Sequence, residues 1–235
     1  MIIKYSEKLC NQYRKNNRKD IFDTPQKNIF SRVIAYIINS KYRKAVTLTS
    51  WLRLQSVNPS FNMIEEAKKI PTCKNYDLQM YKVFRHVRAN MRYSSDKSVW
   101  GIAERWNTAK ETLKLMVGDC EDGSILMYTL ARLKGIPANR LWITAGFVQN
   151  PRNKQDTDSG HCWLFYKPRH YPLNYVCLDW CYYYNIKIID NRTLFTIDDK
   201  FISEQYRNNR YIPSKYHRIW FIFNEKFAFN RMKRR

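Results

Sequence analysis

Cys120, His161 and Asp179 are three residues of this chain whose types and spacing can do chemistry together. Cys120 sits in GDCEDGSILMYTLARLKGIPANR, residues 118–140, with Asp119, Glu121 and Asp122 around it at the start of an apolar helical run. A thiol is a good nucleophile only as a thiolate, and a free cysteine near neutral pH is mostly protonated. A helix N-terminus lowers its pKa by aiming unpaired N–H groups at the sulfur, and a neighbouring imidazolium does the same. The three acids work against both, unless Asp119 caps the helix, for which it is well suited, and Glu121 faces solvent. Two readings of Cys120 stay open: a buried cysteine in a capped helix, or a nucleophile whose base lies further along the chain.

The chain has four histidines to supply that base. His86 falls among arginines on the surface of a predicted helix, His170 in the turn KPRHYP, and His217 in the basic tail. His161 opens a strand directly after a glycine, with Trp163 and Phe165 set to enter the core. Asp179 is a lone acid in the apolar run YVCLDW. A buried carboxylate is costly unless hydrogen-bonded, and an imidazole N–H is a natural partner. Nucleophile, base and orienting acid are thereby assigned to three different elements.

Those elements can be read from periodicity and punctuation. Thr24-Pro25 starts a predicted helix over 25–39, with Phe30, Val33, Ile34 and Ile37 on one face. Further helices are predicted over 41–54, 61–69 (stopped by Pro71), 77–91, 108–116 and 120–134, the last ended by Gly135 and Pro137. The period then changes. LWITAGFV (141–148), HCWLFY (161–166) and YVCLDW (175–180) read as consecutive antiparallel strands, and HRIWFIFNEKFAF as a hairpin about Asn224-Glu225. Helices first and strands after them predict an α+β domain with the Cys120 helix packed on an antiparallel sheet. We divide the chain into a basic helical extension (1–75), a core (76–190) and a basic segment completing the sheet (191–235).

Composition sets the outer bounds. The 235 residues are 44% hydrophobic and 15% aromatic, ample for a core, and no apolar run is long enough to span a membrane. The opening MIIKYSEKLCNQYRK lacks the continuous apolar middle of a secretory signal, so a protein kept inside the cell is expected. Six cysteines without a CxxC pair do not imply a disulfide framework. His161, Cys162, Cys177 and Cys181 are zinc-ligand types whose spacing fits no common knuckle or ribbon, and no metal or cofactor is expected. Of the net charge of +22, residues 1–75 carry 15 basic against 5 acidic groups, and 191–235 carry 11 against 4. The middle holds 16 against 11. Basic flanks of this kind can hold phosphate-rich surfaces, including nonspecific DNA.

Three blocks in order, GDCED, GHCW and LDW, resemble the transglutaminase-like superfamily, the rearranged relatives of papain. The versions encoded by tailed bacteriophages are especially similar. The resemblance covers about residues 76–185, with a Cys162 between His161 and Trp163; the flanks match nothing nameable. It implies a transglutaminase-like/papain-like fold with Cys120 as nucleophile, His161 as base and acid, and Asp179 orienting the imidazole. It implies attack on a carboxamide or peptide carbonyl, a thioester intermediate, and release of the acyl group to an amine or to water. The Cys120 backbone N–H is an expected oxyanion donor. For the Trp106 indole N–H two roles stay open, oxyanion support and packing. A protein or peptide substrate follows, in the bacterial host cytoplasm or a phage virion. The alternative is a virion or nucleic-acid-associated protein that uses the fold for binding.

Overall fold

The computed structural model describes residues 40–149, 158–168, 176–182, 186–189, 193–196 and 216–230. The helix predicted over 25–39 lies outside them. In chain order the helices are α1 (Ser40–Val57), α2 (Phe61–Lys69), α3 (Tyr76–Asn90), α4 (Asp96–Trp100), α5 (Ala109–Leu115) and α6 (Cys120–Leu133). The strands are β1 (Arg92–Tyr93), β2 (Val117–Gly118), β3 (Leu141–Gln149), β4 (Asp158–Tyr166), β5 (Val176–Leu178), β6 (Ile186–Ile189), β7 (Thr193–Thr196), β8 (Tyr216–Phe223) and β9 (Ala228–Asn230).

Local chemistry explains the boundaries that matter for the site. Asn75 caps α3 by accepting from the Asp77 N–H at 2.7 Å. Thr108 and Glu111 form a reciprocal capping box that starts α5. Gly135, at φ +83°, takes the left-handed turn that ends α6, as its place in the sequence predicts. Between α5 and α6 the chain is too short to turn freely. It is pinned instead by the parallel β1–β2 pair, with Arg92 N–H to Met116 O at 3.0 Å and Ser94 N–H to Gly118 O at 2.9 Å. These two-residue strands carry no periodicity for the sequence to show, whereas α4 falls in YSSDKSVWGIAERWNTAK, which reads as a loop with helical fragments.

The main sheet runs β5-β4-β3-β8-β9, with every neighbouring pair antiparallel. Both of its faces are buried, which is why the strands read as near-continuous apolar runs. Leu141, Ile143, Ala145, Cys162, Leu164, Tyr166 and Phe223 join the core that contains α6. Trp142, Trp163, Phe165, Cys177 and Ile222 form a second core on the opposite side. From Glu121 to Ala131 every residue of α6 is buried, so this helix is central rather than a surface amphipath. Residues of α1, α2 and α3, among them Leu52, Met63 and Phe84, enter the same core. The β8–β9 turn is fixed by Asn224, whose Oδ1 accepts from the N–H groups of Lys226 (2.8 Å) and Phe227 (2.9 Å). Beside it Glu225 accepts from Arg132 Nε and Nη2, at 3.1 and 2.9 Å, tying the hairpin to α6. A separate two-stranded pair, β6–β7, was not predicted.

Candidate active site

Asp179 follows β5 and is fully buried, yet each of its oxygens is satisfied. Oδ2 accepts from His161 Nε2 at 2.8 Å and from the Tyr216 hydroxyl at 2.8 Å. Oδ1 accepts from the N–H groups of Cys181 (3.1 Å) and Tyr182 (3.0 Å). Burial pushes the carboxyl up, but His161 and the other donors outweigh it and hold Asp179 down at about 2. The His161 imidazole is thus held through Nε2 by a charged, fully hydrogen-bonded acid.

One aromatic ring stacks on the imidazole and a second lies farther off. Tyr182 lies on it with centroids 4.2 Å apart and planes 8° apart. Trp163, on the same strand face, lies at 6.1 Å and 26°.

Cys120 is the first residue of α6, as predicted, but its acids do not behave as expected. Asp119 makes no side-chain cap. Glu121 is buried rather than solvent-facing, and its Oε2 accepts the Cys120 S–H at 3.1 Å. Burial and the Glu121 charge push the thiol well above its ordinary pKa, so the helix N-terminus alone does not produce a thiolate. Among the described residues no hydrogen bond joins Cys120 to His161. The connection between them is indirect: the Trp180 indole N–H donates to the Cys120 carbonyl at 3.2 Å, and Trp180 follows Asp179 in sequence. That contact requires Gly123. A Cβ there would lie 2.2 Å from Trp180 Nε1.

Asp122 anchors the loop before α5. It accepts from the Asn107 backbone N–H (3.0 Å) and from Asn107 Nδ2 (2.7 Å). A side chain at Gly118 would collide with it. Burial pushes Asp122 up to about 7 despite these bonds, and burial with the Glu121 charge pushes Asp119 up to about 10. Trp106, one residue before Asn107, takes the packing role. Its ring lies against Phe221 and Phe223, at 6.4 and 6.1 Å, and its N–H donates to Glu104 at 2.8 Å. The oxyanion role for Trp106 is therefore corrected, because its one donor is already spent.

Several donor sets among the described residues bear on metals. Cys162 and Cys177 lie in opposite cores, so His161, Cys162, Cys177 and Cys181 do not converge as a four-ligand set. Carboxylate oxygens of Asp96, Asp119 and Asp122 lie within 4.8 Å of one another, and Asp119 Oδ1 is buried with no hydrogen-bond partner among the described residues. Hard oxygen donors of this kind fit calcium rather than zinc. Tyr216, Tyr182, Asn107 and Trp180 escaped the sequence reading, since each acts through a partner far away in the chain.

The family model described as the Transglutaminase-like superfamily matches residues 65–169, the stretch that holds Cys120 and His161. The match covers a little under half of the 235 residues, within a fold that mixes helices with an antiparallel sheet. Among solved structures, calcium-bound LapG of Legionella pneumophila is similar at 18% identity and a TM-score of 0.47, over 85% of this chain and 84% of that one. EGTA-treated LapG is similar at 17% identity and the same TM-score of 0.47, over 88% and 87%. No curated protein sequence matches the chain.

Proposed function

We propose that this transglutaminase-like protein is a cysteine-dependent amidase or peptidase acting through a thioester, with Cys120 as nucleophile, His161 as base and acid, and Asp179 as orienter. The buried His161–Asp179 pair carries this reading. A histidine whose Nε2 is bound by a fully bonded carboxylate at 2.8 Å is the arrangement that keeps Nδ1 oriented for proton transfer. In the reaction the Cys120 sulfur leaves Glu121 and passes its proton to His161 Nδ1. The sulfur then attacks the substrate carbonyl carbon. His161 returns the proton to the departing amine, and the thioester is opened by water or by a second amine, whose proton His161 takes and passes to the Cys120 sulfur as the C–S bond breaks. The Cys120 backbone N–H, at the half-buried start of α6, serves the developing oxyanion.

Asp96, Asp119 and Asp122 would hold a hard divalent cation in this reading. Its charge would stabilise the carboxylates that burial otherwise leaves protonated beside the thiol.

The test is site-resolved alkylation with iodoacetamide at pH 6, with calcium or EGTA, followed by turnover of a peptide mixture with and without a primary amine. Cys120→Ala and His161→Ala should abolish turnover while circular dichroism stays unchanged. Cys73 or Cys10 labelling as fast as Cys120, or turnover surviving either substitution, would overturn the proposal. The amine separates transamidation from hydrolysis by product mass.

The basic flanks favour a second property, compatible with the first. We propose that they hold the enzyme near nucleic acid in an infected bacterial cytoplasm or a phage particle. Duplex DNA binding that falls steeply with salt is expected; no binding at low salt removes this part.

A further inference from the structure

We propose that Tyr182 is a positioning residue for the base, its ring stacked on the His161 imidazole so as to hold it edge-on to Asp179 and to stabilise it when protonated. This rests on the reading of His161 as the base. The geometry is specific. Centroids at 4.2 Å and planes at 8° leave the two rings in parallel contact, closer than the other aromatic pairs among the described residues. A π face turned to an imidazole interacts favourably with the ring when it carries a proton.

Tyr182 is also placed by the group it helps. Its backbone N–H donates to Asp179 Oδ1 at 3.0 Å, so the turn that satisfies the acid brings the ring back over the histidine bonded to that acid. The ring is braced from outside. Tyr93 meets Tyr182 at 6.3 Å and 45°, and meets Trp180 at 6.1 Å and 42°. Trp180 in turn donates to the Cys120 carbonyl. One aromatic cluster therefore spans the start of α6, the β1–β2 pair and the imidazole. Burial raises the Tyr182 hydroxyl above its ordinary pKa, so the stacked ring is a neutral phenol.

The experiment compares full-length wild type, Tyr182→Phe and Tyr182→Leu in the rate of Cys120 alkylation and in the NMR shifts of the His161 ring protons. Thermal unfolding by circular dichroism verifies each fold, with Tyr182→Met replacing Tyr182→Leu if the latter is unfolded. Loss of the ring face should slow alkylation about 5- to 30-fold. It should also remove the upfield displacement of the His161 signals. Tyr182→Phe should preserve both. A leucine or methionine variant as fast as wild type, or a phenylalanine variant as slow as leucine, overturns the proposal. If His161→Ala itself alkylates at the wild-type rate, the failure belongs to the underlying reading of the base; if His161→Ala is slow and Tyr182→Leu is not, it belongs to Tyr182 alone.

Discussion

Gly123→Ala should destabilise this protein although helix propensity favours it. In a helix interior the exchange is worth about 1 kcal/mol in favour of alanine. Here the new Cβ would lie 2.2 Å from Trp180 Nε1, 2.3 Å from Cε2 and 2.8 Å from Cδ1. Carbon atoms in contact prefer roughly 3.5–4.0 Å, so the indole must withdraw by more than about 1 Å. It has nowhere easy to go, being 1% exposed and bonded through its N–H to the Cys120 carbonyl at 3.2 Å. Overpacking costs about 1–3 kcal/mol, and stranding a buried donor and acceptor about 1–3 more. After subtracting the propensity gain, a net loss near 3 kcal/mol is expected, within about 1–5. Urea unfolding followed by far-UV circular dichroism measures it. Trp180→Phe removes the clashing part of the ring, so the double variant should be less destabilised than the sum of the singles by about 1 kcal/mol or more. Because Trp180 adjoins Asp179, Gly123→Ala should also slow Cys120 alkylation. A variant as stable as wild type would refute the close approach of α6 to Trp180.

Tyr216→Phe deletes one hydrogen bond to Asp179, a charged acceptor, and should cost about 1.5–3 kcal/mol at pH 7. Asp179 is held down at about 2, so its contribution is present above 3.8 and lost as pH falls toward 2; the difference between variant and wild type should shrink over that window, and a difference flat from pH 7 to 2.5 would contradict the assignment. Glu121→Gln removes the largest charge opposing the Cys120 thiolate and should raise its alkylation rate at pH 7 several-fold to about tenfold, measured by peptide mass spectrometry; an unchanged rate would mean Glu121 does not hold the thiol proton. Asp119 and Asp122 have raised pKa values, so their contribution to stability fades as pH rises from 3.8 toward about 10 and about 7, and the folded chain bears that cost at neutral pH. Calcium should therefore raise the Tm, reversibly with EGTA, and release protons on binding; Asp119→Asn should lose the effect, and heats identical in buffers of different ionisation enthalpy would rule out the proton release.

Much of this architecture is encoded locally. The helix α2 spans 61–69 as its apolar spacing and Pro71 require, and α6 starts at Cys120 and stops before Gly135 as its punctuation requires. The β8–β9 turn forms at Asn224 because that side chain bonds N–H groups two and three residues on. The separation of Trp163 and Phe165 from Cys162 and Leu164 is the strand's period of two. Even the His161–Asp179 bond was anticipated, since a lone acid in an apolar strand demands a donor.

What tertiary structure decided was where the polar side chains point. Asp119, Glu121 and Asp122 are consecutive neighbours of one thiol, and nothing local says whether they face water or protein. The loop carrying Asn107 and the close packing of α6 against β4 and Trp180 bury two of them and turn Glu121 onto the sulfur. Tyr216 reaches Asp179 from 37 residues away, and Asn107 reaches Asp122 from 15. Periodicity records which face of an element is apolar; it holds no record of which distant element arrives there, and hydrogen bonds and pKa shifts depend on that arrival.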